Sequence, residues 1–411
     1  DTADFSPSPR LLSHLQAETF RLGIETPTHL LSLLDTGLPP EIVGEVAKAL
    51  GQPIQDDWAE SGIASGLIDE AESPWGPGVG FTCPVFGNVL KFGIDPDSIQ
   101  DLRGTVGHTL AAASSSGKSL WDSYRLLRGT EAAIEPLLKT LSSPYAAQIP
   151  RHELLDILSQ ELFRHREREG DLEIEMQLLW KFLPLARKLG RLNEFTSDLE
   201  RGVELAEDQP RRLLALAGLK AELDQDAGRY SQAEETIRMA LEAAKGADER
   251  RQALLLIQLG RLQLDQERYE EAKQLFEKLA GNLERSGFEA LSASCRYYLG
   301  NIALHEEHYE EALQLHREAL ERRRQQKLNR VAGNSLTAMG AVYLALGNYP
   351  QALQCYREAL DLFQQHGDQL DRAYPLIGLG RAMDRLGDYT TAARTLREAL
   401  SLREGKDDIA G

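Results

Sequence analysis

Cysteine is scarce. Cys83, Cys295 and Cys355 stand far apart among 411 residues and form no CxxC pair. That excludes a disulfide framework and leads us to expect a reduced, cytoplasmic protein. Long apolar runs are missing too: none approaches the roughly 20 residues a membrane-spanning helix requires. The first ten residues carry no apolar stretch of the kind that marks a secretory signal. Basic charge is in deficit, with 46 Lys and Arg against 64 Asp and Glu and a net charge of −18. Such a surface repels phosphate backbones and anionic membranes, so neither nucleic acid nor membrane is expected as a partner. The chain begins at Asp1 rather than at methionine, which suits a piece of a longer protein.

What the chain does have is a ladder. Tyr230, Tyr269, Tyr309, Tyr349 and Tyr389 recur every 39 or 40 residues, each followed three residues on by Ala233, Ala272, Ala312, Ala352 or Ala392. A fixed period of this length marks stacked helical repeats, in which each unit buries its apolar face against the next. The unit from Ala332 to Leu362 shows how. Leu336, Met339, Tyr343 and Leu346 have helical spacing, and Gly347-Asn348 breaks the helix. Ala352, Leu353, Tyr356, Ala359 and Leu360 then line one face of a second helix. Small residues at Gly340 and Ala352 let the two axes approach, with Tyr343 and Tyr356 filling the space beside them.

These residues resemble the tetratricopeptide repeat, whose Leu-Gly-x-x-Tyr, Ala-x-x-x-Phe and Ala signature stands here as Met339-Gly340-x-x-Tyr343, Ala352-x-x-x-Tyr356 and Ala359. The same phase is kept at Leu259-Gly260 with Ala272 and Phe276, at Leu299-Gly300 with Ala312 and Ala319, and at Leu379-Gly380 with Ala392 and Ala399. The resemblance covers about residues 170–402, with a period longer than the usual 34. It implies an α-superhelix of about six hairpins that displays a surface rather than performing a reaction.

In that family the inner, concave face is lined by the first helix of each hairpin. Carried over, its exposed positions are Ile257, Arg261 and Leu264, then Tyr297, Asn301 and Leu304, then Asn334, Thr337 and Ala341, then Tyr374, Ile377 and Arg381. The candidate partner-binding residues are therefore Arg261, Tyr297, Asn301, Asn334, Tyr374 and Arg381. Arginines and amides turned inward suit an extended peptide or protein segment, acidic in character.

Residues 1–150 need another account. Arg10–Leu22, Pro27–Leu34, Leu38–Leu50 and Gln55–Ile68 read as helices, with proline in the first turn of the third. The loop at residues 73–78 and two short strands, at residues 80–86 and 89–92, follow. Helices and then a β-hairpin make a winged-helix-like arrangement over residues 1–98. Residues 1–98 hold 15 acidic and 4 basic side chains, and the helix in the recognition position carries no Lys or Arg, which argues against a duplex-reading role. A helical arm over 99–168 and the repeats over 169–411 complete the domain division.

Arg103, His108, Leu110-Ala111 and the run Trp121 to Ala133 resemble the passage after the winged helix in multidomain signalling (STAND-type) ATPases. That resemblance implies a sensor module whose nucleotide-binding and effector domains lie elsewhere on the same full-length chain. A transcription regulator binding DNA through residues 38–92 is the alternative.

Three sequences mimic active sites. Ser116-Gly117-Lys118-Ser119 echoes a phosphate loop, but Ala112 stands where the first glycine should and no strand precedes it. His305 and His308 lie at i and i+3 rather than the i and i+4 of a zincin, and His316 occupies a place the repeat normally fills with an aromatic. The cysteines have no catalytic neighbours in sequence. No catalytic residue, metal or cofactor is expected.

Overall fold

The sequence folds into a mainly helical chain, seen here in a computed structural model that describes residues 9–21, 25–33, 37–52, 54–65, 67–73, 76–81, 90, 94, 96–113, 116–366 and 369–407. Among the described residues no helix is long and apolar enough to cross a membrane. The chain divides into two compact units, 1–185 and 186–411.

The N-terminal unit opens with α1 (Pro9–Arg21), α2 (Glu25–Leu31), α3 (Pro40–Ala49) and α4 (Trp58–Ser65). The antiparallel pair β1 (Ile68–Ser73) and β2 (Gly76–Phe81) follows, with Ile68 opposite Phe81. The hairpin thus comes earlier than the sequence suggested. The residues expected as a loop, at 76–78, belong to the second strand: Gly76, Pro77 and Gly78 pair with Ser73, Glu72 and Ala71, and the missing Cβ of Gly78 permits a close approach. A Cβ on Gly78 would sit 2.6 Å from the carbonyl of Leu38, and Leu38 bridges Val79 across that gap. Of the two expected strands, residues 82–86, 89, 91 and 92 lie outside the described residues. Val43, Val46, Trp58, Ile68, Val79 and Leu90 form the core beneath the hairpin.

Next come α5 (Pro96–Ala113), α6 (Gly117–Leu127), α7 (Ile134–Leu141) and α8 (Arg151–Glu167). Tyr124 of α6 and Glu161 of α8 are both buried, and the tyrosine hydroxyl donates to Glu161 Oε1 at 3.2 Å. Arg164 completes the pair by donating to the same carboxylate oxygen at 2.7 Å. The division between the units falls inside α9 (Leu172–Lys188).

In the C-terminal unit α10 (Thr196–Leu205) leads into five hairpins: α11 (Pro210–Asp226) with α12 (Tyr230–Ala243), α13 (Glu249–Asp265) with α14 (Tyr269–Arg285), α15 (Glu289–His305) with α16 (Tyr309–Gln325), α17 (Asn329–Ala345) with α18 (Tyr349–His366), and α19 (Ala373–Arg385) with α20 (Tyr389–Asp407). Each ladder tyrosine is the first residue of a second helix. Each first helix ends with a backbone N–H reaching back five residues, as in Arg268 to Gln263 and Asn348 to Tyr343. That closure needs a left-handed residue. Gly228, Gly347 and Gly387 supply it, whereas Glu267 and Glu307 are held there at φ of 59° and 61°.

Inside each hairpin a small residue faces a large one. A Cβ on Gly260 would lie 2.4 Å from Phe276, one on Gly300 2.6 Å from His316, and one on Gly340 2.7 Å from Tyr356. Ala221 and Ile237, both fully buried, hold the equivalent positions in the first hairpin. The close approach seats the first helices α11, α13, α15, α17 and α19 in a continuous row, each touching the next.

Candidate functional site

The row of first helices carries the candidate residues. Arg261 and Arg381 occupy equivalent places just after the repeat glycine, and both are exposed. Neither makes an ion pair or side-chain hydrogen bond among the described residues. Several other arginines of this unit are paired. Arg268 pairs with Glu234 and Glu271, Arg296 with Glu284 and Glu318, and Arg322 with Glu284 and Glu289. Arg330 grips Asp371 through Nε at 2.6 Å and Nη2 at 3.0 Å. Glu284 is held below the usual carboxylate range, chiefly by the hydrogen bond from Arg296.

Between the two unpaired arginines, Asn301 and Asn334 are half-buried, and their side-chain amides make no hydrogen bond among the described residues. Tyr374 is 69% exposed, an aromatic face with no ring partner among the described residues. Ile257, expected on the open face, is instead buried in the core with Phe276 and Cys295. Thr337 donates its hydroxyl to the carbonyl of Gly333 on its own helix at 2.9 Å.

Tyr297 is placed with more constraint than its sequence position suggested. Its ring meets Tyr298 edge-on at 5.3 Å and His316 at 5.5 Å, and it covers the guanidinium of Arg323 at 4.8 Å. Arg323 is 3% exposed. One of its terminal nitrogens donates to the Val331 carbonyl at 2.9 Å and to Ser335 Oγ at 2.7 Å, while Nε has no hydrogen-bond partner among the described residues. Burial lowers its affinity for the proton. His316 is fully buried with neither ring nitrogen hydrogen-bonded; desolvation, and then the nearby Arg323, push it down to about 4. Sequence reasoning passed over Arg323. The signal was available in the repeat frame, where the positions equivalent to Arg323 hold Leu283 and Phe363, both buried.

The three mimics resolve as packing. Ser116 caps α6, accepting from the Ser119 backbone N–H at 3.2 Å while Ser119 Oγ reaches back to Ser116. A Cβ on Gly117 would meet Ser143 Oγ at 2.1 Å, so the glycine serves a close approach rather than a phosphate. His305 stacks on Tyr269 at 4.0 Å and His308 faces Glu306 at 3.3 Å. No group of three potential metal ligands gathers among the described residues. Cys295 and Cys355 are buried, which pushes their thiols up to about 12 and about 11, and Cys83 lies outside the described residues. A concavity of about 1160 Å³ in the N-terminal unit is lined by Leu120, Ile134 and Pro136 with His108, Glu135 and Lys139 at its rim. Glu135 and Lys139 neutralise each other there at 2.7 Å.

Two family models of the tetratricopeptide repeat match the chain, over residues 257–327 and 331–405. The hairpins over these residues are tetratricopeptide repeats, and the mainly helical chain contains a tetratricopeptide superhelix. The apo form of RapI is similar in structure with a TM-score of 0.56 at 12% identity, covering 67% of this chain and 99% of RapI. A Rap protein complexed with competence and sporulation factor aligns with a TM-score of 0.49 at 13% identity, over 71% of this chain and 78% of its own. A signal transduction ATPase with numerous domains and a tetratricopeptide repeat sensor, PH0952 from Pyrococcus horikoshii, covers 99% of this chain and 67% of its own at 14% identity and a TM-score of 0.47. No curated protein matches the sequence.

Proposed function

We propose that the chain is a recognition module whose inner helix row captures an extended, acidic peptide or protein segment and relays the capture to a switch or effector domain. The observation that carries this is the pair Arg261 and Arg381. In a chain of net charge −18, two guanidinium groups at equivalent repeat positions stand exposed on the row of first helices with no carboxylate partner among the described residues. The Asn301 and Asn334 amides between them offer both donor and acceptor, the pairing an extended peptide backbone needs. Tetratricopeptide repeats fit this work, because their stacked first helices present one continuous surface. The N-terminal unit, with its short helices and hairpin, would then be the relay. Its helix α4 carries Glu60 and no basic residue, which disfavours DNA as its target.

The test is an array of blocked peptides graded in acidic content, followed by calorimetry on the best binder. Each exposed charge-assisted contact is worth about 1 kcal/mol after discounting for solvent. Arg261→Glu with Arg381→Glu therefore weakens binding by roughly 30-fold or more, since reversal adds repulsion. Unchanged affinity in the double variant sinks the assignment.

A further inference from the structure

The third repeat breaks the pattern that the others keep. At the position filled by buried Leu283 and Phe363 in neighbouring repeats it buries Arg323, and at the position of Phe276 and Tyr356 it buries His316. Ser335 beneath them is fully buried as well. His316 and Arg323 of the third hairpin, with Ser335 on α17 of the next, thus place three buried polar groups in a core that is largely apolar. A buried guanidinium is costly without a carboxylate, and the acceptors that reach Arg323 are neutral: the Val331 carbonyl and the Ser335 hydroxyl, both on one nitrogen. Nε has no acceptor among the described residues. A carboxylate binds the Nε–Nη2 edge of arginine with two parallel hydrogen bonds, and that edge is the one left open here. Local rules broken without local compensation point to function.

We propose that Arg323 is a buried anchor for a carboxylate of the captured segment, reached when the covering ring of Tyr297 turns aside. This rests on the inner-row reading given above and deepens it. Tyr297 lies on α15, one of the first helices, and its half-buried ring packs against the guanidinium. His316, 5.5 Å from that ring with both nitrogens unpartnered, stands ready to donate one N–H to the same carboxylate. Burial keeps its imidazole neutral, so it adds a donor without adding a second positive charge.

The probes are an acetylated pentaglutamate amide, which offers side-chain carboxylates, and an acetylated pentaalanine with a free carboxyl terminus. An acetylated pentaglutamine amide is the control. Calorimetry on the full chain reads binding, and whichever carboxylate peptide binds identifies the source. Arg323→Met replaces the charge with the kind of apolar side chain found at Leu283, so it should melt at or above the wild-type temperature. It should bind the carboxylate peptide at least about tenfold more weakly. Tyr297→Ala, which removes the cover, should tighten binding several-fold. In the wild-type protein the Arg323 Nε–H resonance should shift on titration; a resonance that stays still while the peptide binds overturns the anchor even if Arg323→Met fails to fold. Undiminished binding by Arg323→Met overturns it too. If that occurs while Arg261→Glu with Arg381→Glu abolishes binding, the inner-row reading survives alone. If neither carboxylate peptide binds the wild type, both fall.

Discussion

Tyr356 offers the sharpest test of how the inner row is built. Its ring is 2% exposed and is closed in on two sides. A Cβ on Gly340 would lie 2.7 Å from Cε1, and a Cβ on Gly378 2.2 Å from Cζ. Both distances fall well inside ordinary van der Waals contact, and a ring blocked on one side cannot retreat from the other. Gly340→Ala therefore overpacks the hairpin at about 1–3 kcal/mol. Against this stands the roughly 1 kcal/mol that alanine gains over glycine inside a helix. The net loss is about 0–2 kcal/mol. Tyr356→Leu empties part of the same space and costs about 2–3 kcal/mol. Together the two changes should partly cancel, because the new methyl occupies volume the ring has vacated. The chain already contains that solution as Ala221 with Ile237, both fully buried. A favourable coupling of about 1–2 kcal/mol is expected in the double-mutant cycle. Repeat arrays need not unfold in one step, so native-state hydrogen exchange of the α17 and α18 amides is the suitable assay. Costs that add to within about 0.5 kcal/mol, or a stabilising Gly340→Ala, would refute the small-against-large account of the ladder.

Two further outcomes follow from the same frame. Glu267 and Glu307 are held at φ of 59° and 61° where other hairpins use glycine. Glycine at either site relieves about 1–2 kcal/mol of left-handed strain and returns about 0.5–1 kcal/mol as chain entropy. The net gain of several tenths to 1 kcal/mol per site should raise the urea midpoint; a lower midpoint contradicts it. His316 sits near 4 in the folded state against an ordinary 6.5. The unfolded chain binds that proton more readily, so its contribution to stability is intact above about pH 6.5 and is lost as pH falls towards 4. The loss is of the order of 3 kcal/mol. His316→Phe, which copies Phe276, should flatten the fall in thermal midpoint between pH 7 and pH 4.5, and an equal fall in both proteins rules the histidine out.

The repeat half was legible because its signal is both periodic and local. A tyrosine opening each second helix, an alanine three residues on and a small residue nine before it are spaced by helix geometry alone. Chain order therefore reveals contact order. The hairpin of the N-terminal unit was misplaced for the opposite reason. Gly76-Pro77-Gly78 has the composition of a loop, yet it pairs with Ala71, Glu72 and Ser73 of β1, and Leu38 from far upstream bridges Val79 beside it. Among the candidate site residues, exposure of Arg261, Arg381 and Tyr374 could be read from repeat position. The burial of Ile257 could not, because it depends on how α13 leans on Phe276 and Cys295. Arg323 escaped notice because an arginine near the end of a helix is ordinarily a solvated, dipole-complementing residue. Only comparison with Leu283 and Phe363 exposes it as a charge in a core position.

The overall charge bears on how such a surface can bind an acidic partner at all. At −18 the long-range field repels an acidic segment and slows its approach. Affinity then has to come from short-range contacts strong enough to outlast that repulsion, which screened exposed pairs supply poorly. Arg261 and Arg381 are such exposed groups, and they suit orientation better than grip. Arg323 is different, since at 3% exposure its interaction with a carboxylate escapes most solvent screening. Its desolvation has also already been borne on folding, so a ligand need only bring its own charge. The same chain that keeps acidic segments at a distance by its field can hold one tightly at a single buried point. Selectivity then depends on presenting a carboxylate where Tyr297 gives way, rather than on total negative charge.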